Sequence, residues 1–264
     1  MTRPILTLTT DFGTADHYVG AMKGVILGIC PQAQIIDITH EVAPFAIAEG
    51  AYSIAQAWHC FPEKTVHIVV VDPGVGTARR PILVEAGGHY FLGPDNGVLS
   101  MVYLHENAKV RLISNQQYFR HPVSQTFHGR DIFAPVAAHL AGGAPAESIG
   151  ADIADYAQPA FAGPQRSGSG QWLGQIIKAD RFGNLITNFH VSEFARLGQG
   201  PFTLTVGTRR ITALAQNYQT CAPGELFLIV GSSGYYEISL RQGNAAEYTK
   251  SKPGAAIELA TPSA

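Results

Sequence analysis

An apolar run, TVHIVVVD (65–72), ends on Asp72 and passes at once into PGVGTARRPI (73–82). There Pro73, Gly74 and Gly76 bend the chain, and two adjacent arginines, Arg79 and Arg80, follow. Neighbours on an extended segment point opposite ways, so one of the two folds back toward Asp72. A guanidinium–carboxylate pair is rigid and always charged, which suits it to fixing a third polar group. TFHGRDIFAP (126–135) offers that group in His128, at a helix start with Asp131 in the first turn. A histidine near a helix start is also a common structural residue. Asp11 closes the apolar run ILTLTT (5–10) as Asp72 closes its own, and two aspartates at the carboxyl ends of strands stand where open α/β sheets bind ligands. Either aspartate alone would serve as a turn cap.

A second set lies toward the C-terminus. KADRFGNLITN (178–188) places Asp180 and Asn184 around a Phe-Gly turn, and GSSGYYEI (231–238) places Ser232 and Glu237 around another. Each segment reads as a hairpin. Together they hold carboxylates for an ammonium and neutral donors for a carboxylate, the complement of an amino-acid zwitterion.

Other chemistries are disfavoured. GVGTAR lacks the third glycine of a dinucleotide fingerprint, no Gly-Lys-Ser/Thr follows, and the loop leads into a strand, so no helix dipole awaits a phosphate. The histidines show no H-x-x-x-H or H-x-H spacing, and Cys30, Cys60 and Cys221 are isolated, so neither a metal site nor a disulfide framework is expected. No G-x-S-x-G elbow is present. A net charge of -2 without a basic run gives nucleic acid nothing to grip. No apolar run reaches membrane-spanning length and the first residues lack a signal-peptide pattern, so a cytoplasmic protein without a membrane partner is expected.

The elements that must position these residues follow from periodicity. ILTLTT, QIIDIT and TVHIVVVD read as strands separated by two helices, one carrying Val19, Met22, Ile26 and Ile29 at helical spacing with Asp16 as N-cap, the other Ile47, Ala51, Ile54 and Trp58. A hairpin turning at Gly87 and Gly88, a short helix at NGVLSMVYL, a strand KVRLIS and a helix RDIFAPVAAHLAG come next. This is an α/β pattern, a mostly parallel sheet flanked by helices over residues 1–157. DYAQPAFAGPQRSGSGQ has linker composition, giving a linker at 158–171. Residues 172–264 hold short β-rich segments, interrupted by one helix at VSEFARLG, and predict a smaller C-terminal β-barrel or sandwich.

In order along the chain, TLTTDFGTADHYVGAMKG, DITHEVAPF, VVDPGVGTARR, GPDNG, TFHGRDIFAP, DRFGNLITN and GSSGYYEI resemble the S-adenosyl-L-methionine (SAM) hydrolases, or hydroxide adenosyltransferases, relatives of the fluorinating and chlorinating SAM enzymes. The resemblance implies a homotrimer that binds SAM where one subunit's N-terminal domain meets its neighbour's C-terminal domain. It implies catalytic roles for Asp72, Arg79 and His128, and ribose binding by Asp11 with Asp16. Asp180, Asn184, Ser232 and Glu237 would hold the methionine moiety, and Ala245 and Tyr218 would contact adenine. Halogenating relatives carry a serine where this chain has Gly129, which favours hydrolysis. SAM is then the substrate, with no cofactor and no metal, and water attacks its ribose C5′ to give adenosine and methionine. A non-catalytic SAM or adenosine sensor and a halide-dependent SAM transferase are the alternatives.

Overall fold

The structure, a computed structural model, describes residues 3–103, 108–157 and 163–262. The chain divides into two compact units, Met1–Ala160 and Phe161–Ala264, each with its own sheet and its own hydrophobic clusters.

The first unit runs β1 (Ile5–Thr10), α1 (Tyr18–Ile29), β2 (Gln34–Thr39), α2 (Ile47–Ala57), β3 (Val66–Val70), β4 (Pro81–Ala86), β5 (His89–Pro94), α3 (Ser100–Tyr103), β6 (Lys109–Leu112) and α4 (Ala134–Ala141). The sheet order is β2-β1-β3-β5-β4-β6. β2, β1, β3 and β5 pair in parallel, while β4 is antiparallel to both its neighbours. Alternation along the strands feeds two cores, as a pleated strand must. Leu6, Leu8, Ile68 and Val70 join the core that contains residues of α1 and α4; Val69 and Val71 join the one that contains residues of α2 and α3. Each such fully buried side chain contributes on the order of 1.5–3 kcal/mol.

This order positions the site. From β1 the chain goes to β2 on one side and then returns to β3 on the other, so the carboxyl ends of β1 and β3 border the crevice where strand order reverses. Asp11 and Asp72 lie just past those two ends.

At mid-sheet the polar content is unusual. His67 is fully buried, with Nδ1 2.7 Å from Thr7 Oγ1 and Nε2 3.2 Å from His89 Nδ1, and its ring stacks on Phe91 at 4.8 Å. A neutral imidazole accepts at one nitrogen and donates at the other, which satisfies both contacts. Burial, with the neighbouring His89, pushes the His67 pKa down to about 3.

Several expectations need correction. The cap position of α1 is His17, without a side-chain cap bond, and Asp16 is exposed. Ile29 is 36% exposed although Val19, Met22 and Ile26 are buried. The helix read at 130–142 opens as a π-turn, Gly129–Phe133. Pro135 has no N–H to offer the Asp131 carbonyl, which instead accepts from Arg120 N at 2.9 Å, so the turn widens.

The second unit runs β7 (Gln165–Gly168), β8 (Gln171–Ala179), β9 (Leu185–His190), β10 (Thr203–Val206), β11 (Arg209–Ile211), β12 (Leu214–Ala215), β13 (Leu226–Val230), β14 (Tyr235–Leu240), α5 (Ala245–Thr249) and β15 (Ala256–Ala260). The sheet path is β11-β10-β15-β8-β9-β14-β13-β12, with β7 paired to β8, and it curls so that β11 packs beside β13. Ile176, Leu185, Phe189, Leu204, Leu228, Tyr236 and Ile257 are in its core. Residues 165–168, inside the expected linker, form a largely exposed strand whose polar side chains show no apolar alternation; 158–162 lie outside the described residues. VSEFARLG is a series of turns, not a helix: it is short, ends against Gly198 and Gly200, and is anchored by buried Phe194 and Leu197. RRITALA splits into two strands belonging to opposite ends of the sheet path.

Candidate active site

Asp72 leaves β3 through Val71 into a turn in which Thr77 Oγ1 donates to the Gly74 carbonyl at 2.7 Å. Gly76 has φ +77°, and a Cβ there would lie 2.2 Å from the Gln125 carbonyl oxygen. Only glycine lets this loop lie flat against residues 124–128, which end in His128.

The result is a three-residue contact. Arg79 Nε donates to Asp72 Oδ1 at 3.0 Å and to Oδ2 at 2.9 Å, and Arg79 Nη2 closes the fork on Oδ2. The same Nη2 stands 2.7 Å from His128 Nδ1. Both charged side chains are almost wholly buried, and the guanidinium lies over the Phe133 ring at 5.6 Å. Arg79 Nη1 is buried without a partner among the described residues. Arginine has no acceptor, so the 2.7 Å contact requires a lone pair on His128 Nδ1 and places the ring proton on Nε2. Burial first, and then the Arg79 charge, lower the His128 pKa, against the opposing pull of Asp72 and Asp131. Arg80 points the other way, to Asp95 and Asp155.

Asp11 belongs to the same neighbourhood. Its Oδ2 accepts from Phe45 N at 2.9 Å, and its pKa is raised by burial and further by the Asp72 charge, with the Phe45 hydrogen bond opposing. Phe45 itself is 70% exposed, in a left-handed conformation at φ +68°. The segment DITHEVAPF contained this donor, but nothing in a string of letters signals a backbone N–H turned by a positive φ. Asp131 lies in the first turn as expected, and it is fully buried. It takes Arg130 Nε at 2.7 Å, Arg120 Nη1 at 3.1 Å and Ser124 N at 2.9 Å, pinning the loop that carries His128.

The second unit assembles the other set. Asp180 accepts from Phe182 N at 2.9 Å, Asn184 N at 2.8 Å and Asn184 Nδ2 at 2.8 Å, an Asx-type turn. Glu237, 8% exposed on β14, has Tyr218 OH 3.4 Å from Oε2. Burial and then the Asp180 charge raise its pKa, with Tyr218 opposing. The two carboxylates thus feel each other's charge beside one tyrosine. Ala245 is fully buried at the start of α5, whose Ala246 N donates to the Gly183 carbonyl of the Asp180 turn at 3.0 Å. Ser232 is exposed; the hydroxyl turned inward is that of Ser233, whose Oγ is buried and unpartnered among the described residues. Two adjacent serines in a turn face opposite ways, and spacing alone does not choose between them.

Among the described residues no group of three or more His, Cys, Asp or Glu side chains is placed to hold a metal ion. None of the described helices is long and apolar enough to cross a membrane.

The sequence matches the family described as SAM hydroxide adenosyltransferase, its N-terminal domain over residues 6–150 and its C-terminal domain over 174–258. An (R)-S-adenosyl-L-methionine hydrolase of Salinispora tropica is 38% identical over 255 residues, 95% of each chain. A fluorinase of an Actinoplanes species is 31% identical over 225 residues, 75% of each chain. The crystal structure of an uncharacterized conserved protein from Thermotoga maritima, 38% identical, superposes with a TM-score of 0.87 over 97% of this chain and 100% of that one. With both family domains matched in order, and with relatives this similar over nearly the whole length, the chain belongs to the SAM hydroxide adenosyltransferase family.

Proposed function

We propose that the protein hydrolyses S-adenosyl-L-methionine, water attacking the ribose C5′ to give adenosine, L-methionine and a proton. The observation that carries this reading is Arg79 bridging Asp72 and His128 at the crevice between β1 and β3. The sulfonium leaves as a neutral thioether, so nothing need protonate it; the site's work is to aim water and receive its proton. With Nδ1 facing Arg79, His128 offers Nε2–H as a donor to the water oxygen. Asp72 keeps acceptor capacity beyond its arginine fork and takes the water proton. A carboxylate is a weak base, but as the C–O bond forms the bound water becomes an oxonium far more acidic than a carboxylic acid, so a weak base suffices. Arg79 holds the Asp72 carboxylate and His128 Nδ1 in one fixed geometry for that transfer.

Asp11 is suited to the ribose hydroxyls, with Asp16 on the following segment. Asp180 and Glu237 suit a cationic amino-acid end, Asn184 and the serine turn its carboxylate, and Tyr218 and the Ala245 backbone the adenine. Each unit carries one half of this chemistry, consistent with a homotrimer whose sites join one protomer's triad to another's methionine-binding set. The reading requires neither metal nor cofactor, and it places the enzyme in the cytoplasm, where SAM is made. Gly129 supports hydrolysis over halide transfer: a Cβ there would press on Met22 Sδ and the Phe127 ring at 3.2 Å, leaving little room for a halide-binding serine.

The test is turnover of SAM in ¹⁸O-water with and without chloride, read by mass spectrometry. One ¹⁸O in the adenosine and none in methionine is expected in both. A 5′-chloro nucleoside that appears only with chloride would replace hydrolysis by halide transfer, and binding without turnover would make the protein a sensor.

A further inference from the structure

The segment GPDNG takes no part in the chemistry above, yet its two polar residues each reach a backbone neighbour of the buried ion pair. Asp95 Oδ2 accepts from Arg80 Nε at 2.9 Å and from Nη2 at 2.6 Å, and Asp95 N donates to the Arg80 carbonyl at 2.8 Å. Arg80 is the residue after Arg79. Asn96 Nδ2 donates to the Val71 carbonyl at 2.9 Å, and Val71 is the residue before Asp72. Asn96 Oδ1 accepts from Val98 N at 3.1 Å, which fixes the amide's orientation. Asp95 is itself held: its side chain is 5% exposed and Oδ1 accepts from Ala157 N at 2.7 Å, while Arg80 Nη1 spans to Asp155 at 2.9 Å.

We infer that the dipeptide Asp95–Asn96 is a positioning clamp for the Asp72–Arg79–His128 set. One side chain grips the chain beside Asp72, the other the chain beside Arg79, and the two are consecutive on one rigid segment. The loop 72–80 contains Gly74 and Gly76, and beyond the pairing of β3 and β4 with β5 these contacts fix both of its ends to one segment. Arg79 must satisfy a two-oxygen fork and a 2.7 Å contact to His128 at once. A misplacement of the order of 1 Å at such a site costs about a hundredfold in rate. The assignment of a reaction to this set rests on the hydrolase reading; the clamp itself does not, and its test includes a readout without substrate.

Asp95→Asn and Asn96→Ala are compared with Glu85→Gln, which removes a 2.9 Å ion-pair contact to Arg111 in the same sheet but touches neither residue of the pair. Two quantities are measured on the full chain: kcat and KM for SAM, and the titration of His128 by NMR in the free protein, its resonance assigned with His128→Asn. Other groups facing His128 are Asp72 and Asp131, which none of these substitutions alters. The expected result for both clamp variants is a fall in kcat of about tenfold or more with KM little changed, and a His128 titration moved to higher pH, because a displaced Arg79 no longer opposes protonation. Glu85→Gln should lower thermal stability comparably while leaving both readouts in place. A His128 titration unmoved in both clamp variants would overturn the clamp, as would a kcat loss that Glu85→Gln reproduces. If the wild-type protein does not turn over SAM but the His128 shift appears, the hydrolase reading fails and the clamp stands.

Discussion

Arg79 holds two partners at once, and the pH behaviour of the site follows from the second. The His128 contact needs an unprotonated Nδ1, and burial with the adjacent guanidinium favours that state. A group whose value is depressed keeps its neutral form to lower pH, so kcat should be flat through neutrality and fall only below the ordinary histidine range of about 6.5. A pH profile whose acid limb sits at or above neutrality would contradict the assigned tautomer. Asp72→Asn preserves shape but removes the proposed proton acceptor, and should lower kcat by about 10²-fold or more with SAM affinity largely kept; steady-state kinetics beside calorimetric binding separates the two. Glu237 gives the opposite titration. Burial and the Asp180 charge shift its titration upward in the free protein, and an arriving ammonium opposes that shift. Binding of SAM should therefore release protons in the acid range above the ordinary carboxyl value of 4.5, seen as a calorimetric heat that varies with buffer ionisation enthalpy, and Glu237→Gln should remove that dependence.

At the scale of elements, the turns rather than the strands decide whether the site exists. Gly76→Ala places a methyl group 2.2 Å from the Gln125 carbonyl in a left-handed conformation, so it should push apart the loops that carry Arg79 and His128. Gly207→Ala is the control, with φ +56° but nothing closer than 4.0 Å. Both should cost about 1 kcal/mol or more of stability in denaturant melts, but only Gly76→Ala should also depress kcat. Strands were legible because two-residue alternation and continuous apolar runs survive in one sequence: β1, β2, β3 and the Gly87–Gly88 hairpin lie where periodicity puts them. Short or irregular pieces were not. α5 is five residues long, and its only advance signal was Asn244 followed three residues later by Glu247, a capping pattern that the structure uses through Asn244 Oδ1 and Glu247 N. The π-turn at Gly129–Phe133 depends on where Pro135 withholds a donor, a tertiary matter once Arg120 takes the freed carbonyl. The choice between Arg79 and Arg80 likewise required the loop's path, since both could reach an aspartate and both do.

For the molecule as a whole, the two compact units differ in the titratable groups they bury. The sheet of the first unit contains His67, neutral at its centre with a pKa of about 3, whereas an unfolded chain titrates its histidines near the usual 6.5. Because the unfolded chain binds the extra proton, the stabilising contribution is intact above about 6.5 and is lost progressively as pH falls toward 3, a cost of a few kcal/mol at the acid end. Among the described residues the buried histidines, His40, His67 and His89, all lie in the first unit, and none in the second. Acid titration followed by near-ultraviolet circular dichroism and by hydrogen exchange should show residues 3–157 opening at a higher pH than 163–262; simultaneous loss of both would mean that the units melt as one. The histidine in the middle of the sheet therefore makes the two units separable by acid: as pH falls toward 3 the hydrolase reading predicts that turnover is lost while the second unit stays folded.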